Sequence, residues 1–332
     1  MHEYDPATLA AYLAEHVDGF TTLDGLRKFS DGQSNPTYLV TSGRKNFVLR
    51  ARPPGTLLPS AHLVDREYRV MKALAATDVP VPAMLHLSGD DSPLGTQFFV
   101  MEHVDGTIHW DPAVRDGAKI YGAMNATLAA LHAINPADVG LEDFGKPGNY
   151  YARQLSRWSK QYKAAETAKR PDVDWVMAWL EEAMVPDDGT VAITHGDYRI
   201  DNMIFAPTGE LRALLDWELS TLGHPMADLA YQVMMWQLPH DGRFKGLGGV
   251  DRAAHGIPTD EAYIAAYCYR RGIDAPKDWN FYLAFACFRF LAILQGVLRR
   301  GLDGNASNPL GAEVMDALIE HLAKEAKAIA RA

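Results

Sequence analysis

Two hydrophobic rhythms divide the chain. Over residues 7–17, Leu9, Leu13 and Val17 recur on one helical face and predict an amphipathic opening helix. The period then drops to two. Thr37–Thr41 and Asn46–Arg50 read as short strands, and the intervening "SGRKN" predicts a hairpin connection. "RPPGTLLP" reads as loop, because its prolines cannot continue a regular element. Helical spacing returns in "SAHLVDREYRVMKALAAT", with Leu63, Glu67 or Tyr68, Met71 and Leu74 on its rows and Ser60 as the expected N-cap. Ala83–Leu87 and Gln97–His103 are two further strand candidates.

From about residue 112 the pattern is mainly helical, with expected helices over 112–134, 150–168, 172–184, 226–237, 259–272, 278–300 and 310–331. One stretch breaks it. "VAITH", "NMIF" and "LRALLDW" are short strand-like pieces joined by tight turns, "APTGE" among them, and the glycine-rich 241–258 reads as a long loop. The expected class is α+β: a β-rich N-terminal lobe over 1–103, a connection near 103–107, and a mainly helical lobe over 104–332. A chain of 332 residues suits two lobes better than one core.

Composition narrows the partners. Apolar residues make up 48% and charged residues 22%, the formal net charge is −10, and the basic residues are scattered. A nucleic acid partner is not expected without a basic face. Cys268 and Cys287 lie in apolar helical text without C-x-x-C spacing, and read as buried thiols of a reduced, cytoplasmic protein. The first residues lack a cationic stretch and a long apolar core, so no signal peptide is expected. The most membrane-like segment, 281–298, carries Arg289 and Gln295, which a buried core helix accommodates better than lipid. No membrane partner is expected.

The chemistry concentrates in "THGDYRIDNMIF", residues 194–205. A polar loop follows an apolar strand, Asn202 stands five positions after Asp197, and Asp216 follows a short hairpin in "LLDWE". One carboxylate can orient a hydroxyl nucleophile, while the amide oxygen and the second carboxylate suit Mg²⁺, a hard cation that prefers oxygen. The phosphoryl-transfer template of protein kinases divides the work in the same way, H-R-D-x-x-x-x-N followed by a metal-binding Asp, with Gly196 here in place of the arginine.

"HGDYRIDNMIF" and "LLDWELSTLGHPMADLAYQ" resemble the aminoglycoside phosphotransferase-like family of small-molecule kinases, related to choline kinases. With "FVLRARPPGTLLPSAHLVDREYRVMKAL", the chain is similar over residues 20–300 to the kinase-like domain fused to some acyl-CoA dehydrogenases. The resemblance implies a protein-kinase-like bilobal fold, with nucleotide bound by the first lobe and catalysis in the second. It implies an ATP- and Mg²⁺-dependent transfer of phosphate to a hydroxyl of a small molecule. Asp197 would be the catalytic carboxylate and Arg199 a cation on the transferring phosphate, or else in a structural salt bridge to Asp201 or another carboxylate. Asn202 and Asp216 would hold Mg²⁺, with Glu218 an outer ligand or a solvated charge. His195 and Asp228 would be structural supports of the loop.

On the nucleotide side, the turn with Gly32, Gln33, Ser34 and Asn35 would approach the phosphates, although a plain hairpin has the same composition. Arg50 would stand where a lysine is usual, paired with Glu67, with a surface ion pair as the other reading. Arginine is longer, planar and always charged, yet binds oxyanions bidentately. Glu102 and Val104 would offer main-chain groups to adenine, with Val48 and Met101 as its apolar wall. The acceptor implied is a hydroxyacyl-CoA or hydroxy acid, with an aminoglycoside or amino alcohol as the alternative. An anionic acceptor makes Arg289, Arg299 and Arg300 candidates, each otherwise a salt-bridged or surface residue. A catalytically idle nucleotide-binding module is the reading from a different class. A monomer or homodimer is expected.

Overall fold

The computed structural model describes residues 4–29, 35–53, 63–146, 148–303 and 311–332. The chain opens with α1 (Pro6–His16), β1 (Gly25–Lys28), β2 (Thr37–Ser42), β3 (Lys45–Ala51), α2 (Val64–Leu74), β4 (Met84–Leu87), β5 (Phe98–Glu102) and β6 (Thr107–Ile108). It continues with α3 (Gly117–Ala133), α4 (Tyr150–Ala165), α5 (Pro171–Glu182), β7 (Ala192–Thr194), β8 (Met203–Phe205), β9 (Leu211–Leu214) and β10 (Thr221–Gly223). The last elements are α6 (Met226–Gln237), α7 (Asp260–Arg271), α8 (Trp279–Leu302) and α9 (Ala312–Arg331).

These elements form two compact units. One comprises residues 1–108, 139–141 and 201–220, and the other 109–138, 142–200 and 221–332. The first contains an antiparallel sheet of order β1-β2-β3-β5-β4. Alternation sorts its side chains between two faces. Tyr38 and Val40 of β2, Phe47 and Leu49 of β3, and Phe98 and Val100 of β5 pack with Leu9, Leu13 and Val17 of α1 into one buried cluster. The opposite parity of β3 puts Val48 and Arg50 on the other face, where α2 buries Glu67, Val70, Met71 and Leu74. Gly43, at a φ of 59° that favours glycine, turns the β2–β3 hairpin. A second, three-stranded sheet, β6-β8-β9, completes the unit.

The second unit is mainly helical, with the antiparallel pair β7–β10 as its sheet. At its centre α8 packs against α4, α6 and α9. By length and composition α8 could cross a membrane, but most of it is buried in the protein. Its polar members are provided for: Gln295 bonds to Ala165 O, Thr167 and Arg170, and Arg170 reaches Asp316 on α9. Cys268 and Cys287 are buried free thiols.

Two local expectations are corrected. The helix expected from Ser60 begins at Val64, with Leu63 at its N-cap position and no side-chain cap; Ser60 itself lies outside the described residues. The helix expected from residue 112 begins at Gly117, because Pro112 and its neighbours form a turn tied by Val114 N–H to Pro112 O. The strand implied before the expected turn at 32–35 is β1, an edge strand.

Candidate active site

One group of candidate residues, in the loop after β7, belongs to the helical unit. Leaving β7, the chain turns at Gly196, whose φ of 85° lies in the left-handed region. A side chain would be strained there, which explains glycine where the kinase template has arginine. The turn is carried by Asp228 of α6, which is fully buried. Its two carboxylate oxygens accept from the N–H groups of His195 (2.7 Å) and Gly196 (2.8 Å), and His132 of α3 reaches it at 3.2 Å. Burial works against the charge on Asp228, but the His132 imidazole and these N–H donors overcome it and hold the carboxyl below its ordinary value. His195 is buried and accepts the Asp197 N–H on Nδ1 at 3.2 Å. It acts as a scaffold.

Asp197 is thereby presented with its side chain about one-fifth exposed. Its Oδ1 accepts a hydrogen bond from the Tyr231 hydroxyl at 2.7 Å and pairs with Arg199 Nε at 3.2 Å. The salt bridge that was one reading of Arg199 is present, with Asp197 as a carboxylate partner. Arg289 corrects both ordinary expectations for it, being neither exposed nor ion-paired among the described residues. Buried in α8, it donates to Gly196 O at 2.7 Å. Arg299 lies near the end of the same helix, exposed and paired with Asp303. Arg300 is also exposed.

A second group of candidate residues belongs to the sheet-containing unit. Met203 pairs with Leu214 across the β8–β9 hairpin, and the Leu215 N–H donates to Asn202 O at 2.8 Å. This register sets Asn202 and Asp216 at the same end of the hairpin. Asp216 has φ 64° and ψ 63°, an uncommon conformation for a non-glycine residue. The following turn is fixed by Trp217, buried and donating through Nε1 to Leu214 O, and by Ser220 Oγ donating to Trp217 O.

Arg50 gathers the acids of this unit. Its Nε lies 3.0 Å from Glu67, and its terminal nitrogen lies 2.7 Å from Asp216 and 3.9 Å from Glu218. Burial disfavours its charge, but the three carboxylates overcome that and raise its pKa. Glu67 is pushed up by burial, and Arg50 pulls in the opposite direction. Asn35, buried, donates its amide to Glu67 at 2.8 Å. The pair is thus an interior one, which corrects the surface reading. Of the expected phosphate turn, Gly32, Gln33 and Ser34 lie outside the described residues. Val48 pairs with Met101 on the Arg50 side of the sheet. Glu102 ends β5 with its N–H donated to Ala83 O, and Val104 follows, half-buried.

The acids and amide present suit a hard divalent cation. Asn202, Asp216 and Glu218 offer oxygen only, and Asp216 and Glu218 face a cation whose removal would leave them mutually repulsive. Among the described residues no group of three His, Cys, Asp or Glu forms a ready-made metal site. A few protein oxygens completed by phosphates is the arrangement Mg²⁺ favours. Of the residues that matter here, sequence reasoning missed Tyr231 and His132. Tyr231 stands three positions after Asp228, on the same helical face, and that spacing was the available signal.

The geometry defines a kinase-like phosphotransferase class, and comparison with known proteins agrees. The model of the APH phosphotransferase enzyme family matches residues 25–279, and the chain belongs to that family. It is 45% identical over 290 residues to mouse acyl-CoA dehydrogenase family member 10, covering 85% of this chain and 27% of that protein. The chain spans about two-fifths of the length of the acyl-CoA dehydrogenase family member 11 relatives it matches. A solved Ralstonia eutropha structure, provisionally classed as an aminoglycoside phosphotransferase, superposes with TM-score 0.87 at 41% identity, over 99% of both chains. The fold is also that of aminoglycoside phosphotransferase APH(4)-Ia, whose mutant structure holds ADP and hygromycin B (TM-score 0.63, 14% identity, 98% of both chains).

Proposed function

We propose that this chain transfers the terminal phosphoryl group of ATP to a hydroxyl of a small molecule. The observation that carries the reading is the Arg50 cluster: one interior cation, braced by Glu67, that meets the two carboxylates of the metal loop. Phosphate oxygens would take the place of Asp216 on the guanidinium. Asn202, Asp216 and Glu218 would hold Mg²⁺, which when bound screens the charge of the phosphates. Asp197 would accept a hydrogen bond from the acceptor hydroxyl and aim its oxygen. The new bond joins that oxygen to the terminal phosphorus, the bridging P–O bond breaks, ADP leaves, and the hydroxyl proton passes to Asp197 or solvent.

For the acceptor, the groups touching the Asp197 side of the loop favour an anion over a polycation. They are Arg199, the cation paired with Asp197, and Tyr231, a neutral donor to it. With the names of the curated relatives, this supports a hydroxyacyl-CoA or hydroxy acid, and disfavours an aminoglycoside or amino alcohol. The test is a coupled ADP-release assay with Mg²⁺-ATP against all four acceptor classes. Turnover with an acyl-CoA or hydroxy acid, lost in Asp197→Ala, is the expected result. The engagement of Arg50 by Asp216 favours one second reading, an idle nucleotide-binding module. That reading predicts a nucleotide-dependent melting shift without turnover on any acceptor.

A further inference from the structure

Tyr231 and Arg289 fall outside the loop motif, yet both act on it. The Tyr231 hydroxyl and Arg199 Nε converge on the same Asp197 oxygen. Arg289 donates to the Gly196 carbonyl, immediately before Asp197 in the chain. Its guanidinium also lies 5.5 Å from the Tyr231 ring and 5.9 Å from the Trp158 ring. Among the described residues no carboxylate ion-pairs with it, so a carbonyl dipole and two aromatic faces hold this buried cation. The Tyr231 ring also meets Phe290 edge-on at 6.1 Å.

We propose that Tyr231 and Arg289 are positioning residues for Asp197, Arg289 pinning the loop carbonyl and the Tyr231 ring while the Tyr231 hydroxyl fixes the carboxylate. The inference rests on the reading of Asp197 as the group that orients the acceptor. Burial and the neighbouring Asp197 charge push the Tyr231 phenol well above its ordinary value, so it remains a donor at every working pH. A permanent neutral donor favours the ionised carboxylate and leaves it one orientation. The other charged or titratable groups around the loop include His195, Tyr198, Arg199 and Asp201 within it, Asp228 from α6, His132 from α3 and Arg289 from α8.

Tyr231→Phe removes one oxygen and keeps the ring. Its ¹³C-carboxyl NMR titration, with the Asp197 resonance identified by its loss in Asp197→Asn, needs neither nucleotide nor acceptor. The expected result is an Asp197 pKa about one unit higher than in the unsubstituted protein. In turnover, kcat should fall about tenfold with KM within twofold, and the acid limb of kcat should move up by the same pH interval. Arg289→Lys, which keeps the charge but cannot both stack and reach Gly196 O, should shift the titration in the same direction by less. An unchanged Asp197 titration in folded Tyr231→Phe overturns the inference, and leaves the reading of Asp197 intact if Asp197→Ala has lost turnover. A raised pKa alongside full turnover in Asp197→Ala supports the Tyr231 contact and overturns the catalytic reading of Asp197 instead.

Discussion

Two clusters of candidate residues, one in each unit, hold their carboxylates by different means. Around Arg50, one guanidinium meets Glu67, Asp216 and Glu218, and the acids outnumber the cation. Such a cluster is held by charge balance, and on the proposed function it would exchange partners with phosphates or a divalent cation. Around Asp228 and Asp197, the carboxylates are held by backbone N–H groups, an imidazole, a phenol and one guanidinium. These donors have fixed directions. Charge balance permits exchange of ligands, whereas directed hydrogen bonds keep one carboxylate in place.

Breaking the directed network should have the largest effect. Asp228→Ala leaves two buried N–H groups and His132 without their acceptor, and should destabilise the chain by about 3–5 kcal/mol in urea unfolding. The pH dependence has a defined sign. Because the folded carboxyl lies below its ordinary value, its contribution is present above about pH 4 and is lost as pH falls through the folded pKa. Asp228→Asn should therefore flatten the acid limb of stability against pH. Next in size, Asp197→Ala should lower turnover by about a thousandfold while nucleotide affinity, measured by calorimetry, stays within twofold.

On the charge-held side, Arg50→Ala removes the cation shared by three acids. Nucleotide affinity should fall about tenfold to a hundredfold, with stability lost because Glu67 stays buried without its partner. Arg50→Lys keeps the charge but cannot span Glu67 and Asp216 together, and should show a smaller loss of both. The smallest effect belongs to Glu218→Gln, a few-fold rise in the Mg²⁺ concentration needed for half-maximal turnover. A larger effect there than in Arg50→Ala would invert the comparison.

What the sequence made legible was local. Asp197, Asn202 and Asp216 lie within one strand–turn–hairpin run, so their spacing alone brings the carboxylate, the amide and the second acid into one argument. Most strands and helices were legible for the same reason, through alternation and helical rows. Arg50 and Glu67, separated by a loop, were reachable only through resemblance to a known family. Arg289 and His132 were not reachable as partners of the loop, because α8 and α3 meet it through tertiary packing that no local pattern encodes; Tyr231 had only its helical spacing from Asp228 as a signal. At the start of α2, Leu63 holds the N-cap position without a side-chain cap, so the capping residue in the sequence did not mark where the helix begins.

The central claim is that this loop directs a phosphoryl group onto a hydroxyl. ³¹P NMR of the protein with Mg²⁺-ATP and a hydroxyacyl-CoA series reads that transfer directly. The account predicts ADP together with a new phosphate monoester resonance, both absent in Asp197→Ala. ADP with inorganic phosphate alone, or a monoester that persists in Asp197→Ala, would contradict it.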